Sequence, residues 1–133
     1  MPHGEAAVAD VLLIAYLKEQ SGKRIEQARK REGVTQRQLA IDLGMGVRWL
    51  REIESGNPRA RLEDHLRCTY ELQISTGHIL IPLLFFGQDM EFPEQLTGGD
   101  LRELERVCVD AVAARITLQV TPAWRRPPAA NAG

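Results

Sequence analysis

Apolar residues recur at helical spacing through residues 5–20, at Val8, Val11, Leu12 and Ala15, and Leu13, Ile14 and Leu17 widen the stripe beyond one face. A helix so apolar calls for cover on more than one side. An added core contact within the chain and a contact between two copies both supply it, and the first is the commoner outcome. Ser21-Gly22 interrupts the pattern, and Ser21 is placed to N-cap a second helix reaching about residue 32, with Ile25 and Ala28 inward and Gly33 ending it. Thr35 then N-caps residues 36–43, where Leu39, Ala40 and Leu43 form an inward stripe and the small Ala40 lets two helices cross closely. Gly44 supplies the positive φ of a tight turn. The next helix, 47–55, buries Leu50 and Ile53 with Val47 joining them, and turns Arg48, Arg51, Glu52 and Ser55 the other way before Gly56-Asn57-Pro58 stops it.

Residues 61–74 read as a further helix with Leu62, Leu66, Tyr70 and Leu72 inward, and Ser75 caps the apolar run HILIPLLFF, which Pro82 kinks or ends. Residues 87–99 have loop composition. Asp100 with Glu103 starts a last helix to about residue 114, whose Leu101, Leu104, Cys108 and Ala111 form a narrow seam. Residues 116–120 suit either helix or strand, and the Pro/Ala-rich tail has no periodicity. The expected organisation is an N-terminal helical arm at 1–20, a helical domain at 21–86, an acidic loop and helix at 87–120, and a disordered tail at 121–133.

Net charge over the whole chain is −1, which announces no partner, but the charge is sorted. Residues 21–67 hold 11 Lys and Arg against 7 Asp and Glu, whereas residues 68–110 hold 2 against 8. The basic segment is the one that contains the two short helices. Cys68 and Cys108 have no metal-ligand spacing and read as reduced, largely buried thiols. His3, His65 and His78 share no ligand spacing and read as surface or cap residues. The carboxylate pairs Asp89/Glu91 and Glu103/Glu105 lie near no nucleophile or phosphate loop. An enzyme, a metal and a cofactor are therefore not expected. The apolar runs at 11–17 and 79–86 are too short to span a bilayer and the start lacks a basic leader region, so a soluble, unexported cytoplasmic protein is expected.

With these residues laid out, segment 22–74 resembles the lambda-repressor-like, or Cro-repressor-like, helix-turn-helix domains of the XRE family. The resemblance rests on R-x-x-x-G-V-T-Q-x-x-L-A-x-x-L-G at 29–44 and W-L-x-E-x-E-x-G at 49–56. The run VRWLREIESGNPRARLE is similar to the HipB-like subgroup, which includes autorepressing antitoxins. The resemblance implies an all-α, five-helix DNA-binding domain, here with an extra N-terminal helix and a C-terminal helical extension. It further implies a homodimer on a palindromic double-stranded DNA operator, in a bacterial cytoplasm and at the nucleoid when bound. Carried over by position, Arg29 and Glu54 form a structural ion pair, and Thr35 and Gln36 meet the DNA backbone. Val47, Arg48 and Glu52 reach base edges, while Arg51, Asn57, Arg59 and Arg61 meet phosphates. Gly46 departs from the usual Ser or Thr cap, and Glu52 needs a partner to sit near phosphates. Trp49 stays open between packing and DNA contact.

The leading expectation is a dimeric transcriptional repressor using the helix at 47–55. An antitoxin or other protein-interaction module, neutralising a partner through residues 87–133, is the alternative. A ligand-sensing repressor would need a polar-lined pocket beside HILIPLLFF, for which the sequence offers little.

Overall fold

The computed structural model describes residues 3–93, 95 and 99–117, with side chains described from Leu12 to Ile116 within those ranges. Six helices and no strand occur among the described residues: α1 His3–Arg31, α2 Gln36–Leu43, α3 Val47–Glu54, α4 Leu62–Glu71, α5 Gly77–Gly87 and α6 Arg102–Thr117. The all-α expectation holds. The tail at 121–133, residues 118–120, and the side chains of His3, Val8 and Val11 lie outside the described residues.

Helix α1 corrects the expected break at Ser21-Gly22, for it runs unbroken through 29 residues. The arm and the first helix of the domain are therefore one element. Both residues have tertiary duties instead of a capping one. Ser21 Oγ lies 2.7 Å from His65 Nδ1 on α4. Gly22 sits where the end of α3 crosses: a Cβ there would lie 2.5 Å from the Glu54 carbonyl oxygen and 2.6 Å from that of Ile53. Gly56, just past α3, is reciprocal, since its Cβ would meet Glu19 Cα at 2.6 Å, and its φ of +75° suits glycine. The missing side chains let α1 and the end of α3 touch through their backbones.

Around this crossing the core gathers Ile25, Leu39, Ala40, Leu50, Ile53, Ala60 and Cys68, all almost fully buried, with Val34, Leu43, Met45, Val47, Trp49, Leu72 and Ile74 packed at its edge. Helix α1 is the hub and touches α3, α4 and α5. Of its apolar excess, Leu17 is buried and Leu13, Ile14 and Ala15 are half-covered, while Leu12 stays exposed. Burial in this core pushes the Cys68 thiol up to about 12, so it is protonated at neutral pH.

Helix α4 departs from its expected face. Its buried residues are Asp64, His65, Cys68 and Thr69, whereas Tyr70 is 66% exposed and Leu62 and Leu66 are only half-buried. The polar side chains are tolerated because each has a partner inside. Asp64 accepts from Trp49, His65 pairs with Ser21, and the Thr69 hydroxyl donates to the Leu66 carbonyl at 2.8 Å. His65 is therefore a core residue and not a surface or cap residue.

Helix α5 contains Pro82 without ending there. Ser75 Oγ accepts from its first amide, that of Gly77, at 3.0 Å. Asp100 accepts from the Arg102 amide at 3.0 Å but stands one residue before the N-cap position of α6, which is Leu101, whose carbonyl accepts from the Glu105 amide at 2.9 Å; this corrects the expected cap at Asp100. Of the expected seam on α6, Leu101 is buried against Gly77, Leu104 and Cys108 are half-buried and Ala111 is exposed.

Candidate nucleic-acid interface

The second and third helices hold their positions through short-range devices. Thr35 Oγ1 accepts from the Gln38 amide at 3.0 Å, which caps α2. At its other end, Gly44 takes φ 67° and the Met45 amide closes on the Ala40 carbonyl at 2.9 Å, and the Arg67 guanidinium donates to the Leu43 carbonyl. Helix α3 starts on Gly46, which offers no side-chain cap. At eight residues α3 is too short to be stable alone, so tertiary contacts must hold it.

The strongest of those contacts is ionic. Arg29 Nε donates to Glu54 Oε2 at 2.7 Å and Nη2 to Oε1 at 3.1 Å, a two-pronged pair with the carboxylate side chain only 2% exposed. Arg29 Nη1 also donates to the Val34 carbonyl at 3.0 Å. The hydrogen bonds to Glu54 hold the guanidinium pKa above its ordinary value, against the opposing effect of burial. Glu54 has a further partner, for Gln36 Nε2 donates to Oε1 at 2.9 Å, and the Gln36 carbonyl oxygen accepts from Arg51 Nε at 3.2 Å. A polar chain thus runs from the buried pair, through α2, to an exposed arginine on α3.

Trp49 is half-buried against the core, and its indole Nε1 donates to Asp64 Oδ2 at 3.1 Å. The geometry assigns it to packing. Leu50, Ile53 and Glu54 face inward, while Arg48, Arg51 and Ser55 face solvent and Glu52 lies half-buried beside them. Arg48 makes no hydrogen bond or ion pair among the described residues. Val47 is half-buried at the core edge and presents only part of its side chain.

Glu52 is bonded to Asn57 Nδ2 and not to Arg48. Asn57 Oδ1 accepts from the Arg59 amide at 2.9 Å, so Glu52, Asn57 and Arg59 form one local group after α3. Arg61 turns to Glu63 at 2.9 Å and to Asp64 at 3.7 Å, which offsets much of its charge toward an external phosphate. Thr35, Gln36 and Arg51 are drawn together, with Arg48 beside Arg51 on the same exposed face. Arg37, exposed in the first turn of α2, is a cation that the motif comparison passed over. Its place in the turn after the Thr35 cap was the available signal.

Among the described residues no cluster of three or more His, Cys, Asp or Glu side chains is suited to a metal, and no helix is long and apolar enough to cross a membrane. What the arrangement offers is a rigid short helix with two exposed arginines, beside the amide-rich start of another helix. Such a surface suits a polyanion with a groove.

No curated protein and no solved structure matches the chain. Residues 20–69 match the model of a family described as a helix-turn-helix domain, which supports placing this segment, α1 from its middle through most of α4, with the helix-turn-helix DNA-binding families.

Proposed function

We propose that the protein is a sequence-specific transcriptional regulator, a dimeric repressor of the lambda-repressor-like kind that occupies an operator through α3. The observation that carries the reading is the exposed Arg48/Arg51 face on a helix whose other side is fixed by Glu54 and the core. Arg48 forks onto guanine O6 and N7, Arg51 meets phosphate, and Thr35 and Gln36 bring the start of α2 to the neighbouring backbone. Glu52, paired with Asn57, positions the loop that carries Arg59. Fluorescence-anisotropy binding to the DNA upstream of the protein's own gene tests this. Competitor-resistant binding should weaken by about 1–3 kcal/mol in Arg48→Ala and fall steeply with salt. Equal affinity for random duplex at moderate salt would sink the proposal.

A second reading, an antitoxin-like module that binds a protein partner through residues 87–133, draws on α6. Beyond its buried Leu101 the helix exposes Val107, Val109 and Val112. Deleting residues 87–133 should abolish partner capture or dimerisation, read by light scattering. If it changes neither, this reading has no support.

A further inference from the structure

Beyond DNA binding, two adjoining cavities lie away from α3, and they share two residues. The larger, of about 690 Å³, opens between the middle of α1, α5 and the segment around Phe92. Leu13, Leu17, Pro82, Phe86 and Phe92 make its walls apolar, and Tyr16 adds a third aromatic ring. Phe92 is fixed there by an edge-to-face contact with Phe85, with ring centroids 5.4 Å apart. The smaller, of about 310 Å³, is lined by Arg24, Arg31 and Arg102 with Ser75 and His78, and by Asp100, the one carboxylate among the described residues that line it. Arg24 and His78 line both cavities.

We infer that this double crevice is a binding site for a small amphipathic organic anion, an aromatic carboxylate whose rings fill the apolar chamber and whose carboxylate reaches the arginines at the junction. The volume falls in the range of cavities that hold small ligands, and an apolar body with a few convergent polar groups is their usual build. The sign of the ligand follows from the charges. In the smaller chamber three guanidinium groups face Asp100, which already accepts from the Arg102 amide. Glu91 lines the apolar chamber and not the smaller one, where Arg31 and Arg102 stand. Arg102 is held in place by donating to the Gln73 carbonyl at 2.6 Å, and its remaining N–H groups stay available for a carboxylate. Arg24 also stands on α1 little more than one turn before Arg29. Occupancy therefore bears on the helix that anchors Glu54.

Equilibrium binding of 2-naphthoate, followed by its own fluorescence and by dialysis, tests the site on the full chain. Saturable binding at one site per chain is expected, weakened about tenfold or more for neutral 2-naphthol and in Arg24→Gln and Arg102→Gln, and unchanged in Lys30→Gln. Should Arg24→Gln prove unfolded by circular dichroism, Arg102→Gln, altered at an exposed side chain, decides. Absence of saturation, equal affinity for the naphthol, or unchanged affinity in Arg102→Gln overturns the inference. So does an Arg102→Gln variant that loses DNA affinity while keeping naphthoate binding. These outcomes are independent of operator recognition, which Arg48→Ala reports.

Discussion

Replacing Gly22 by alanine separates two accounts of α1. If Ser21-Gly22 were a break, alanine would extend a helix at a favourable residue, and removing a mid-helix glycine is worth about 1 kcal/mol in stability. The structure requires the opposite sign. The new Cβ would lie 2.5 Å from the Glu54 carbonyl oxygen, while carbon–oxygen contacts settle near ~3.3 Å, so α1 and α3 must separate by roughly 0.8 Å. Both offending atoms belong to the backbone, and no rotamer change relieves them. Overpacking costs about 1–3 kcal/mol, and a clash with backbone atoms belongs at the upper end, about 2–3 kcal/mol, which leaves a net loss of about 1–2 kcal/mol after the propensity gain. With a urea m-value near ~2 kcal/mol/M, the midpoint falls by about 0.5–1 M at unchanged m. Operator affinity falls too, because the displaced element is α3. A midpoint that rises or stays constant refutes the close-approach account.

Three further outcomes follow from the buried polar groups. Glu54→Ala leaves the Arg29 guanidinium without its carboxylate and should cost about 3–5 kcal/mol by urea unfolding, whereas Arg29→Met with Glu54→Leu together should cost less than Glu54→Ala alone. His65 has a pKa lowered to about 4 by burial, with the Lys18 charge adding to it, against 6.5 when unfolded. The folded state refuses a proton the unfolded chain accepts, so this group's effect on stability is nil above pH 6.5 and grows to a loss of about 3 kcal/mol as pH falls to 4. His65→Gln should flatten that part of the stability–pH profile, and an unchanged profile counts against the buried neutral ring. Trp49→Phe keeps an aromatic ring but leaves Asp64 without its indole donor, which should cost about 1–2 kcal/mol in urea unfolding and, because that bond helps set the rotation of α3, weaken operator binding in competition assays.

What the sequence made legible is what residues within about four positions decide. The Thr35 cap, the Gly44 turn and the Gly56 stop are such features, and α2 and α3 fall within a residue of their expected bounds. The Arg29–Glu54 pair was legible for a different reason, through the resemblance of the surrounding motif, and composition alone would have put both residues on the surface. Where the deciding atoms lie far along the chain, local reading gave the wrong sense. Gly22 reads as a breaker because its neighbour at α3 is 31 positions away. On α4, hydrophobic spacing chose Tyr70 over His65, since periodicity cannot register that Ser21 waits inside for the imidazole. The crevice was not legible because its walls come from three segments and its arginines from two helices far apart in the chain.

These misreadings share a cause that also explains how α3 is held. A helix of eight residues has room for little apolar anchoring, and Leu50 and Ile53 are the only hydrophobic residues α3 fully buries. Their burial contributes about 1.5–3 kcal/mol each, too little to fix both the axis and the rotation of so short an element. The remaining constraints are directional. Trp49 fixes the helix to α4, Glu54 to α1 and, through Gln36, to α2, while the glycine crossing sets its distance from α1. Hydrogen bonds orient where apolar contact only attracts, and a reading helix needs its rotation set so that Arg48 and Arg51 face one way. Polar residues therefore sit in the core around α3 at just the positions where a hydrophobic pattern would have placed leucine or tyrosine.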